Sequence, residues 1–113
     1  MKIEVRFRGL ESSDALREHA ARQIHFHLSR FGNDVTAVLV RIADVNGPKG
    51  GIDKRCQISV HGTRFGSATL DEMSGDVYSA VDMAVQRIGR SIGRELDRAR
   101  SDWRSGYALG RAS

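Results

Sequence analysis

The chain has 113 residues, 40% hydrophobic and 28% charged, with 18 Lys and Arg against 14 Asp and Glu and a formal charge of +4. This is the size and balance of one soluble domain, able to bury roughly two-thirds of its unfolded surface, and it excludes a disordered chain. No apolar run nears the roughly 18 residues of a membrane helix, the opening Met1-Lys2-Ile3-Glu4-Val5-Arg6 has no signal-peptide core, and the single Cys56 excludes an internal disulfide or thiolate-rich zinc site and fits a reducing cytoplasm.

Residues 2–8 alternate strictly, with Ile3, Val5 and Phe7 on one side and Lys2, Glu4, Arg6 and Arg8 on the other, which predicts a half-buried strand. After Gly9, the run Ser12-Ser13-Asp14 offers N-cap chemistry. Leu16, Ala20, Ile24, Leu28 and Phe31 then recur at helical spacing, and Gly32-Asn33 supplies the stop. A second strand is predicted over residues 35–44, with Val38, Val40 and Ile42 inward and Arg41 outward. The segment Asn46-Gly47-Pro48-Lys49-Gly50-Gly51 holds the chain's one proline and reads as a loop. A third strand follows at about 54–61, with Cys56, Ile58 and Val60 inward and Arg55, Gln57, Ser59 and His61 outward. Gly62-Thr63 reads as a turn into a fourth strand over about 64–70.

The last element is a long helix predicted from about Ser74 to Asp102, on the repeat Val77, Val81, Ala84, Ile88, Ile92, Leu96, Ala99. Such a helix is about 43 Å long. Asp71, Glu72 and Asp76 are expected at its start, where the helix dipole favours acids. The fold class is therefore α+β, in the order β-α-β-β-β-α: a four-stranded sheet with both helices packed on one face. The other face stays open and carries Lys2, Arg6, Arg8, Arg41, Arg55 and His61.

The basic residues are 15 Arg to 3 Lys, and arginine forks onto phosphate with two parallel hydrogen bonds. On the long helix Arg87, Arg90, Arg94 and Arg98 fall within about 80° of one another, beside the apolar stripe. Four like charges on one ridge call for an anion, and Glu95, Asp97 and Asp102 are too few to neutralise them. Candidate RNA contacts are thus Arg87, Arg90, Arg94 and Arg98, then Arg6, Arg8, Arg41 and Arg55 on the sheet, with Lys49 and Lys54 by the loop. That loop reads either as a mobile basic finger or as a long turn of no chemical consequence; no P-loop pattern is present. Whether the arginine row reaches the same rim as the loop is left open. Gly89 and Gly93 are read as sites of close helix approach, over Ala20 or Ala21, in preference to a hinge. Trp103 and Tyr107 suit either core capping or base stacking. His25 and His27 point about 200° apart on a helix and share no metal ion. No nucleophile–base–acid set is brought together, so no enzyme, cofactor, metal or small-molecule substrate is expected.

The element order resembles that of the ribosome hibernation-promoting factor and ribosome-associated inhibitor family, short form. Ser13-Asp14-Ala15-Leu16-Arg17-Glu18 resembles that family's entry to its first helix, and Leu28-Ser29-Arg30-Phe31-Gly32 its exit. Asp76-Val77-Tyr78-Ser79-Ala80-Val81-Asp82 is similar to the entry to its second helix, followed by the basic stretch Arg87 to Arg98. The resemblance spans residues 1–103 as one domain, with 104–113 as a short tail. It implies a bacterial, cytoplasmic protein that docks on the small ribosomal subunit in the path of messenger and transfer RNA and holds the ribosome inactive, with a monomer as the default where the oligomeric state is left open. Ribosome pairing through a C-terminal domain is not implied. Two other readings fit the residues: a double-stranded-RNA-type module for another structured RNA, and a protein–protein regulator without RNA contact.

Overall fold

Alternation builds the sheet and helical spacing covers it. The computed structural model describes residues 1–45 and 53–109, the last ten by backbone alone. The elements are β1 (Lys2–Arg8), α1 (Asp14–Leu28), a 3-10 segment (Ser29–Asp34), β2 (Val35–Asp44), β3 (Lys54–Gly62), β4 (Ser67–Ser74) and α2 (Val77–Leu109). The sheet order is β1-β2-β3-β4, with β1 parallel to β2 and the other pairs antiparallel. The order β-α-β-β-β-α and the α+β class are those expected from the sequence.

Each inward row is apolar. Val5, Val40 and Ile58 lie in register across β1, β2 and β3, all buried. Leu16, Ala20, Ile24 and Leu28 of α1 and Val81, Val85, Ile88 and Ile92 of α2 close over them, each at most 2% exposed. Burying a side chain of this kind is worth about 1.5–3 kcal/mol, so this layer is the main source of stability. Ser13 caps α1, its Oγ accepting the Leu16 N–H at 3.1 Å. Arg17 ties the helix to β1, donating to the Val5 carbonyl at 2.8 Å with its guanidinium 5.1 Å from the Phe7 ring centroid. The helices are joined at one end by His19, whose Nε2 lies 2.6 Å from Asp82 Oδ1 and whose ring meets Tyr78 edge-on.

Three sequence expectations need correction. The fourth strand lies at Ser67–Ser74, later than 64–70, because Gly62 to Gly66 closes the hairpin first: the Gly62 N–H donates to the Gly66 carbonyl at 2.8 Å and Gly66 sits at φ 77°. Asp71 and Glu72 therefore belong to β4 and not to the start of the helix. α2 begins at Val77, where Asp76 accepts the Ser79 N–H at 3.0 Å, and continues to Leu109, about 50 Å in all. The third correction concerns Gly89 and Gly93. Their neighbours are His27, Leu28, Arg30 and Phe31, not Ala20 or Ala21, and a Cβ at either would sit 3.7 Å from the nearest atoms. That is ordinary contact, so glycine is not required there by a close approach.

Candidate nucleic-acid interface

The open sheet face is a grid set by register. One row across it reads Arg6, Arg41, Gln57, Asp71; the next reads Arg8, Ala43, Arg55, Met73. Strands stand about 4.8 Å apart, and same-face residues along a strand about 7 Å, so four guanidinium groups converge on one patch. Arg6, Arg8, Arg41, Arg55 and Gln57 rim a shallow hollow of about 370 Å³ there. Two of the four already have carboxylate partners. Arg6 bonds Glu4 at 2.7 Å, and this contact, with weaker help from Lys2 and Arg41, holds the Glu4 carboxyl below its usual range. Arg55 bonds Asp71 at 2.8 Å. Arg8 and Arg41 make no salt bridge among the described residues, Arg41 acting on Glu4 only at longer range.

The arginine row on α2 divides in the same way. Arg87 pairs with Glu72 of β4, and Arg98 with Glu95 at 2.9 Å, so half the row is neutralised by partners. Arg90 and Arg94 are exposed and carry no such pairing. They border a groove of about 530 Å³ together with Arg30, Arg64, Asp34 and Asp97. Arg64 forks onto Asp34 at 2.9 and 2.8 Å, which stabilises its charged form. Arg30 and Arg64 were not singled out from the sequence. One sits at a helix exit and the other in a hairpin turn, and only the tertiary fold carries both to the flank of α2.

The residues that bracket the loop and the pair Arg90 and Arg94 lie at opposite ends of the sheet, and residues 46–52 themselves lie outside the described residues. Val45 and Asp53, joined by a 2.9 Å backbone hydrogen bond, anchor the loop at the end of the sheet where Arg8, Asp44 and Ser74 lie. The row starts beside Glu72 and runs toward the opposite end, where Arg64 and Asp34 flank the β3–β4 hairpin. Lys49 lies outside the described residues. Lys54 is drawn inward: Nζ sits 3.0 Å from Asp53 Oδ1 and 3.3 Å from Asp44 Oδ2, and the Asp53 bond leads in raising its pKa. Asp53 itself is 1% exposed, so Lys54 serves as the counter-charge of a buried carboxylate. Cys56 is buried in the core, which pushes its thiol up to about 12 and leaves it a small hydrophobe. His25 is exposed and His27 half-buried, on different sides of α1.

The fold has known counterparts. No curated protein sequence matches the chain. Among solved structures it is similar to the Thermus thermophilus Protein Y N-terminal domain, with 25% identity and a TM-score of 0.70 over 83% of this chain and 98% of that one. A ribosomal subunit interface protein from Coxiella burnetii shares the fold at 17% identity and a TM-score of 0.70, over 86% and 99% of the two chains. The family model described as Sigma 54 modulation protein / S30EA ribosomal protein matches residues 3–100, strands, helices and arginine row included, and the chain belongs to that family.

Proposed function

We propose that the protein is a ribosome-associated translation inhibitor that binds small-subunit ribosomal RNA in the path of messenger and transfer RNA. It acts in the cytoplasm, without catalysis, through the domain of residues 1–103. The observation that carries the reading is the set of arginines making no salt bridge among the described residues of a chain in this family: Arg8 and Arg41 on the open sheet, Arg90 and Arg94 on α2. Exposed guanidinium groups without carboxylates are matched by phosphate oxygens, and displaced counterions supply the driving force. The family description, which names a ribosomal protein, supports the same reading.

The test is co-sedimentation of the purified protein with small ribosomal subunits, with and without bound messenger and transfer RNA. The protein pellets with vacant subunits, is excluded by the occupied path, and lowers the output of cell-free translation. Pelleting that is indifferent to messenger and transfer RNA refutes the assigned path. Recovery only with other structured RNA, or only with protein, moves the assignment to one of the other two readings.

A further inference from the structure

α1 carries an aromatic side chain where its amphipathic pattern calls for a polar one. Leu16, Ala20, Ile24 and Leu28 take the buried face, while Phe26 stands 79% exposed. Arg22 and Phe26, four apart on α1, lie on one side of it, and Arg30 of the following 3-10 segment lines the same cleft as Phe26. The Phe26 ring meets His27 edge-on at 5.0 Å, at the mouth of a cleft between α1 and α2. That cleft, about 350 Å³, is lined by Phe26, His27, Arg30, Gln86, Gly89 and Arg90. Arg30 is held toward its floor, with Nη2 3.4 Å from the Gly89 carbonyl and the guanidinium over the Phe31 ring. No carboxylate lines the cleft, and Arg22, Arg30 and Arg90 have no acid partner among the described residues.

A single exposed phenylalanine needs no explanation. One set among guanidinium groups without an acid does, because those charges gather against their mutual repulsion. The remaining lining side chains, His27 and Gln86, are polar, which disfavours the apolar surround of a protein–protein anchor. We propose that this cleft binds single-stranded RNA: an unpaired base stacks on Phe26 while the neighbouring phosphates are held by Arg22, Arg30 and Arg90. The inference rests on the reading of the protein as an RNA binder and adds a base contact to it. Among the described residues the outward rows of the open sheet face hold no Phe, Tyr or Trp, and the Phe31 ring beside Arg90 and Arg94 is covered by the Arg30 guanidinium, 4.7 Å from its centroid.

The experiment uses the full chain with a twelve-nucleotide oligoadenylate and, separately, purified small ribosomal subunits. Phe26→Ala weakens binding to both by about 5- to 150-fold, the range for loss of one base stack. It leaves the salt dependence unchanged and does not lower the melting temperature, since the ring is exposed. Phe26→Trp retains binding, and oligoadenylate quenches its emission above the Trp103 signal of the parent. Failure of the parent to bind oligoadenylate overturns the site. So does full affinity of Phe26→Ala while Arg41→Glu still weakens subunit binding, a result that leaves the RNA-binding reading standing; if neither variant weakens it, both readings fall. Loss of subunit binding by Phe26→Ala without loss of oligoadenylate binding or quenching assigns the ring to a protein pocket and also overturns the proposal.

Discussion

Replacing Arg90 and Arg94 together by alanine removes the two cations of the α2 row that no described acid partners. Both are exposed and off the apolar face, so the melting temperature is unchanged. If each holds one phosphate, each contributes about 0.7–0.9 to the slope of log affinity against log salt. The double variant then has a slope shallower by about 1.4–1.8. Between 50 and 200 mM salt, a fourfold change, the affinity gap between parent and variant narrows by roughly tenfold. Titration against small ribosomal subunits at three salt concentrations measures this directly. The absolute loss alone is a weaker test, because misfolding or altered docking also lowers affinity. Parallel slopes for parent and double variant refute phosphate contact by this row, whatever the affinities are.

Gly89→Ala stabilises the fold by about 1 kcal/mol, because alanine is the better helix former and its Cβ meets His27 and Leu28 at 3.7 Å, ordinary contact. For a domain of this size that raises Tm by about 4 °C, and a lower Tm in calorimetry shows that the helices are closer than 3.7 Å implies. Cys56 resists alkylation at pH 8 until the protein unfolds, because its folded pKa is pushed up to about 12. The folded thiol keeps its proton where the unfolded one loses it, so stability falls as pH rises from about 9 toward 12, and Cys56→Ser removes that dependence as read from melting curves. Lys54→Met lowers Tm without changing the salt slope of subunit binding, since it strands the buried Asp53 carboxylate and frees no phosphate contact.

The parts of the fold legible in the sequence are those where one local rule decides. Alternation in β1 and β2 fixes which side of each strand is buried, and so puts Arg6, Arg8 and Arg41 on the open face without any tertiary information. Ser13 and the run of apolar residues behind it do the same for α1. β4 is the element where local rules conflict. Asp71-Glu72 ahead of a helical repeat looks like a helix start, and what keeps them in a strand is the ladder with β3, where Asp71 pairs with Gln57 and Glu72 with Cys56, with Arg55 and Arg87 as their side-chain partners. The same pairings hid which arginines remain available. A row of four looks uniform in sequence, yet its first member is matched by an acid 15 residues away on another element and its last by a neighbour three residues off. Arg30 and Arg64 carry no local signal at all; their meeting with Arg90 and Arg94 is a product of how α1 and the β3–β4 hairpin pack beside α2.

The two sets of available arginines face away from each other. Both helices cover one side of the sheet, so Arg8 and Arg41 look out from the sheet while Arg90 and Arg94 look out from the helices. A helix layer packs about 10 Å from its sheet, and each set of side chains reaches outward from its own layer, so a single RNA groove does not touch both. Cations confined to one face would suit a protein lying on a flat RNA surface. Cations on both faces suit a wedge with phosphate on either side, as in a channel between two walls of RNA. The apolar layer between the faces then has a mechanical duty. It sets the distance between the two charged surfaces, and its close packing makes that distance hard to alter. A wedge of this kind fits the proposed position inside a path through the subunit better than one on its outside.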